Sequence, residues 1–111
     1  MPESQCYPRK APKVSALLET LADNIRREVI HYFENFTSDE VASLGTIVSH
    51  IEARVPNVDD TELRVSLRHI HLPKLEQRGW IEYDERTNDI RYCGHEQADE
   101  LLAELIDVFD G

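Results

Sequence analysis

The chain has 111 residues, with 22 acidic against 12 basic side chains and a formal net charge of −10. That length bounds it to one domain with a modest core, and with no apolar run long enough for a bilayer span or a secretory leader, the expectation is a cytoplasmic protein without a membrane partner. Two cysteines, Cys6 and Cys93, are too few for a disulfide framework or a zinc motif, so both are expected to be reduced thiols.

Residues 1–13 carry Pro2, Pro8 and Pro12, with Arg9, Lys10 and Lys13 against Glu3 alone, and read as an extended basic arm. Val14, Leu17, Leu18 and Leu21 then follow the i, i+3, i+4, i+7 spacing of an amphipathic helix, which Asp23 and Asn24 interrupt with capping chemistry. A second helix has Ile25, Val29, Phe33 and Phe36 on one face. Its Arg26 and Arg27 reach a phosphate or pair on the helix surface with Asp23 or Glu28, two readings that local spacing does not separate. After a polar connector, Val41 and Ala42 suit a short strand paired with a later hairpin. Ser43 is placed to cap a helix lined by Leu44, Ile47, Val48 and Ile51, which ends near Arg54 before Pro56.

The longest helix signal starts at Asp59, where Glu62 three residues later completes a capping box, and stops at Gly79, the residue type that ends a helix in the left-handed conformation. Its apolar residues fall on two stripes, Leu63, Leu67 and Ile70 on one and Val65, Leu72 and Leu75 on the other. Pro73 removes a hydrogen bond and predicts a bend between His69 and Pro73 that lets one bent helix bury both stripes. Arg64, Arg68 and His71 are expected together on a polar face, with Ser66 and His69 on the other side. Ile81 and Tyr83, a polar turn from Glu85 to Asp89, and Ile90 and Tyr92 then form a two-stranded hairpin pattern. Ala98, Leu101, Leu102, Leu105 and Phe109 repeat as an amphipathic terminal helix whose stripe needs a surface to cover it.

Three stretches carry a family resemblance. Leu75-Glu76-Gln77-Arg78-Gly79-Trp80-Ile81 resembles the leucine, three residues, glycine, two apolars signature that closes the recognition helix of winged-helix regulators of the ArsR and PadR type. Leu21-Ala22-Asp23-Asn24-Ile25-Arg26-Arg27-Glu28-Val29-Ile30 resembles the opening of ArsR-type domains, and His69-Ile70-His71-Leu72-Pro73-Lys74-Leu75 resembles a small group of such regulators from halophilic archaea. The resemblance implies an α+β winged helix-turn-helix with an N-terminal helix pair, a two- to three-stranded wing sheet and a C-terminal dimerisation helix. The division it implies is a flexible basic arm over 1–13, a DNA-binding domain over 14–92 and the dimerisation helix over 93–111. It further implies a sequence-specific transcription regulator that binds double-stranded DNA as a homodimer, with Leu17, Leu21, Ala98, Leu101, Leu102, Leu105 and Phe109 at the dimer interface.

On that reading the recognition helix, about 59–78, enters the major groove, where arginine makes bidentate contacts to guanine, and the wing, about 80–92, lies on the backbone or the minor groove. Arg64 and Arg68 are the first expected contacts, then His69, His71 and Ser66, with Lys74 on phosphate and Arg86, Asn88 and Arg91 from the wing. The alternative is a winged-helix protein-interaction module without specific DNA binding.

A net charge of −10 runs against a DNA-binding domain, which is normally basic. An acidic chain with only three lysines resembles proteins of salt-in halophiles. In molar salt the Debye length falls to about 3 Å, so long-range repulsion from phosphate is suppressed and cations can bridge carboxylate and phosphate. No cofactor is expected. His69 and His71 lie about 200° apart on a helix and do not converge, and Cys93, His95 and Asp99 form only a weak metal-ligand pattern. None of the four glycines belongs to a phosphate loop and no nucleophile elbow occurs, so catalysis is not expected.

Overall fold

A computed structural model of the chain describes residues 19–94. Within them, residues 19–21 are helical and the elements that follow are α1 (Asn24–Asn35), β1 (Val41–Ser43), α2 (Leu44–Arg54), α3 (Asp60–Ser66), a π-helical turn (Leu67–His71), α4 (Leu72–Gln77), β2 (Ile81–Asp84) and β3 (Asp89–Tyr92). The fold is α+β, with a three-stranded antiparallel sheet in the order β1-β3-β2. No helix among the described residues is long and apolar enough to cross a membrane. The expected arm over 1–13 and terminal helix lie outside the described residues.

The helix starts are local side-chain chemistry. Asp23 accepts from the backbone N–H groups of Ile25 and Arg26, Ser43 from that of Thr46, and Asp59 from that of Glu62, so each places an oxygen on donors that have no intrahelical partner. At the other end of the α3–α4 run, Gly79 has φ +86°. Its N–H donates to the Glu76 carbonyl, and that of Trp80 to the Leu75 carbonyl. This is the double bond of a Schellman ending, which turns the chain from α4 into β2.

The hairpin and β1 close the sheet, with Ala42 opposite Ile90 and Tyr83 opposite Ile90 on its other side. Four residues, 85–88, make the turn, and Asn88 takes φ +61° there, a conformation asparagine tolerates better than most residues. Tyr83 donates its hydroxyl to the Asn88 side-chain oxygen at 2.7 Å, which braces the turn.

One core unites these elements: Val29, Ile30 and Phe33 from α1, Leu44, Ile47, Val48 and Ile51 from α2, Leu63, Leu67, Leu72 and Leu75 from the long helical run, and Trp80, Ile81 and Ile90 from the hairpin. Leu21 belongs to it and is fully buried within the single chain, so it does not face a partner subunit as expected. Phe36 is half-exposed instead of buried, lying over the Arg54 guanidinium.

The long helix differs from the expected bent helix in one respect that matters for function. The Leu72 N–H donates to the Leu67 carbonyl, five residues back, so residue i+5 rather than i+4 stands over Leu67. This extra residue brings Leu72 and Leu75 onto the Leu63 and Leu67 face, and all four are buried. A single stripe results, not two. Val65 and Ile70, expected inside, are displaced to solvent with 53% and 56% exposure. Pro73 follows the π turn inside a continuous helical run, and the π turn absorbs the ladder defect that proline creates.

Candidate nucleic-acid interface

The helical run from Asp60 to Gln77 presents its outer face away from the core. Thr61, Glu62, Arg64, Val65, Arg68, His69, Ile70 and Pro73 are all exposed on it. Helical spacing puts Val65, His69 and Pro73, each four residues apart, along the crest of this face, with Arg64 and Arg68 along one shoulder. Arg68 and His69 make no hydrogen bond or ion pair among the described residues. The Arg64 Nε lies 2.7 Å from Asp60 Oδ1, one turn back. That hydrogen bond holds the Asp60 carboxyl below the usual range. Both side chains of this pair are about half exposed, so solvent screens it.

The other expected contacts divide. Ser66 donates its hydroxyl to the Leu63 carbonyl at 3.1 Å and sits half-buried. Lys74 is not free. Its Nζ lies 2.7 Å from Glu19 Oε2, while Arg78 Nη2 lies 2.9 Å from the other oxygen, and the Lys74 hydrogen bond is the leading cause of the lowered Glu19 pKa. Glu19 thereby ties the segment before α1 to the end of the long helical run.

His71 is the clear correction. It was expected on the polar face with Arg64 and Arg68, yet it is 7% exposed on the inner side of the π turn, because the extra residue rotates it inward with Leu72. Its Nδ1 lies 3.3 Å from Arg26 Nη1 and 3.9 Å from Asp23 Oδ1. Arginine has donors only, so this contact requires His71 Nδ1 to be unprotonated and accepting. Burial is the main cause of its lowered pKa, with the Arg26 charge adding to it against Asp23.

Arg26 and Arg27 take neither expected role. Both are buried, and both donate to carbonyls at the end of the preceding helical segment: Arg26 to Thr20 and Glu19, Arg27 to Leu21 and Ala22. These are orphan acceptors of a helix C-terminus, and the arginines cap them from α1. No local periodicity reveals this, since the partners face each other only after the chain turns at Asp23.

On the hairpin, Arg86 has a side chain 90% exposed, loosely tethered by its Nε at 3.5 Å from Asp84. The Asp84 carboxyl is lowered chiefly by the Arg86 backbone N–H, which fixes the turn. Asn88 is committed to Tyr83, and Arg91, on the central strand, lies 3.4 Å from Glu40. Of the three hairpin residues expected to touch DNA, Arg86 is therefore the one projected outward. Leu17, Ala98, Leu101, Leu102, Leu105 and Phe109 lie outside the described residues.

The electrostatics at the start of α3 oppose a polyanion. Asp59, Asp60, Glu62 and Glu52 are exposed there, and burial together with Asp60 raises the Glu52 pKa. No group of three or more histidine, cysteine or acidic residues among those described is arranged to hold a metal ion. Cys93 is disulfide-bonded, which corrects the expectation of a reduced thiol there.

Residues 18–91 match the model of a domain of unknown function, DUF7344. That stretch is two-thirds of the chain, and the protein belongs to this family. No curated protein and no solved structure matches it significantly.

Proposed function

We propose that this DUF7344 protein is a winged helix-turn-helix that binds double-stranded DNA in a sequence-specific way and regulates transcription as a homodimer. In this reading α2 is the positioning helix, the run from Asp60 to Gln77 is the recognition helix in the major groove, and the β2–β3 hairpin is the wing. The element order supports it, with a helix pair followed at once by a hairpin, although the five residues 55–59 that join the pair exceed the usual three or four. So does the resemblance of Leu75 to Ile81 to the closing signature of ArsR and PadR regulators.

The observation that carries the proposal is the outer face of the long helix. Arg64 and Arg68 stand on one shoulder of an exposed helix whose opposite side is fully committed to the core, and Arg86 projects from the adjacent hairpin. Such a face can enter a groove without disturbing the fold, and arginine there can bond guanine or phosphate. Lys74, Asn88 and Arg91 are already engaged within the chain and contribute less, and His71 is removed from the contact set.

The acidic group at the start of α3 sets a condition. Phosphate approaches this end only when cations screen or bridge the carboxylates, so binding to DNA is expected to weaken little, or even to strengthen, as potassium chloride rises toward about 2 M, unlike the steep loss shown by basic domains. The test is fluorescence anisotropy on the region upstream of the protein's own gene across that salt range, with scrambled DNA as control. Saturable preference for the native sequence supports the proposal. Equal binding of both, repeated on fragments selected from the genome, leaves the protein-interaction module as the better reading.

A further inference from the structure

We infer that the outer face of the sheet is the docking site of this chain's own basic arm, residues 1–13, tied to the end of β3 by a disulfide between Cys6 and Cys93. This goes beyond the DNA reading and does not depend on it. Cross-strand register puts Val41, Arg91 and Glu82 in one row and Ser43, Asp89 and Asp84 in the next, on the side of the sheet opposite the buried Ile90. Val41, Glu82, Asp84, Asp89 and Arg91 from these rows line an open groove, to which the hairpin turn adds Glu85 and Arg86, and its remaining side chains are uncharged. The two arginines are already drawn to carboxylates, Arg86 to Asp84 and Arg91 to Glu40. The side chains of Glu82, Glu85 and Asp89 make no hydrogen bond or ion pair among the described residues. Three carboxylates on one face thus have no cation among the described residues.

The bond, the charge and the length of the arm all select the same occupant. Cys93 is disulfide-bonded, and the sequence holds one other cysteine, Cys6. Cys93 lies one residue beyond β3, with its N–H donating to the Trp80 carbonyl at 2.8 Å, so the bond is held at the end of the sheet's central strand. The arm carries the missing charge, Arg9, Lys10 and Lys13 against Glu3 alone. Its reach also fits. At about 3.4 Å per residue, Asp89 stands about 14 Å along β3 from Cys93, and Arg9, Lys10 and Lys13 follow Cys6 by about 10, 14 and 24 Å of extended chain. The tether raises the effective concentration of these cations over the face. DNA is a poor occupant, because the three carboxylates repel phosphate, and a second copy, at a net charge of −10, is repelled as a whole.

The experiment maps the bond and then the dock on the full chain. Digestion without reductant, followed by mass spectrometry, is expected to give the Cys6 and Cys93 peptides joined within a monomer; free thiols, or a bond between two chains, overturn the inference. Limited trypsin digestion of the oxidised protein in about 0.1 M salt then follows cleavage after Arg9, Lys10 and Lys13. Three exposed ion pairs are expected to slow it about tenfold relative to the Glu82→Gln/Glu85→Gln/Asp89→Asn variant. Glu52→Gln/Asp60→Asn/Glu62→Gln, which removes the same charge around the start of α3, is expected to be cleaved as slowly as wild type. Unchanged Trp80 fluorescence shows that both variants are folded. Equal cleavage of wild type and the sheet variant overturns the dock, and protection that rises with protein concentration assigns the arm to a second copy and overturns it too.

Discussion

Arg26→Met removes one buried guanidinium while keeping much of its aliphatic stem, and it isolates how the long helix is anchored. The side chain is 8% exposed. It donates at 2.7 Å to the Thr20 carbonyl, at 3.1 Å to the Glu19 carbonyl and at 3.3 Å to His71 Nδ1. The variant loses a charge-assisted donor at each of two helix-terminal carbonyls, and leaving such acceptors without a donor costs about 1–3 kcal/mol each. The total is about 4 kcal/mol, a large share of the roughly 5–15 kcal/mol that holds a domain together. Urea unfolding followed by fluorescence reads it directly, because Trp80 is the single tryptophan and is 2% exposed. Arg68→Met, at an exposed arginine without a partner among the described residues, is the control, expected within about 0.5 kcal/mol of wild type. The Arg26 effect should persist in molar salt, since buried contacts are screened little. An Arg26→Met protein as stable as the Arg68→Met control would refute the assignment of Arg26 as the clamp between the start of α1 and the π turn.

Three further predictions follow from the same geometry. Leu72→Ala should cost about 2–5 kcal/mol as a buried leucine truncated in a packed core, whereas Ile70→Ala should change urea stability by less than about 0.5 kcal/mol; comparable losses would return Ile70 to the core and remove the π register. Stability should fall in acid, because burial lowers the folded pKa of both His50 and His71 below the ordinary 6.5. Below that value the unfolded chain binds more protons than the folded one, so the full stability holds above about pH 6.5 and is lost as pH drops through the folded values; a flat profile between pH 7 and 5 would contradict their burial. Gly79→Ala, at φ +86°, should lower stability by about 1–2 kcal/mol in the same assay, the cost of a Cβ in the left-handed region, and an unchanged midpoint would deny the Schellman ending.

Much of the architecture was legible because its determinants are local. Asp23, Ser43, Asp59 and Gly79 act within a few residues of themselves, so the cap positions and the end of the long helix can be read by spacing alone. The alternation of Ile81, Tyr83, Ile90 and Tyr92 likewise yields the hairpin, and Val41 and Ala42 pair with it as expected. Spacing failed where the period itself changed. A rule of 100° per residue cannot place Ile70 outside and His71 inside, since one π turn between Leu67 and Leu72 reverses them. Pro73 was the visible signal, but it pointed to a bend instead of an inserted residue. The buried roles of Arg26 and Arg27 depend on carbonyls that precede the turn at Asp23, and charge alone reads such residues as surface. The expected contact set consequently narrows to Arg64, Arg68, His69 and Arg86.

The central claim is that a DNA-reading helix begins at Asp60, and the most direct measurement compares anisotropy titrations of wild type, Arg64→Ala/Arg68→Ala and Arg54→Ala on one selected duplex in about 2 M potassium chloride. Arg54 pairs with Glu28 at the α1–α2 contact, away from the outer face, so its loss controls for charge. The account predicts that the double variant binds about a hundredfold more weakly, at about 1–3 kcal/mol for each lost arginine contact, while Arg54→Ala stays within about twofold of wild type. Equal weakening in both variants, or none in the double variant, would contradict it.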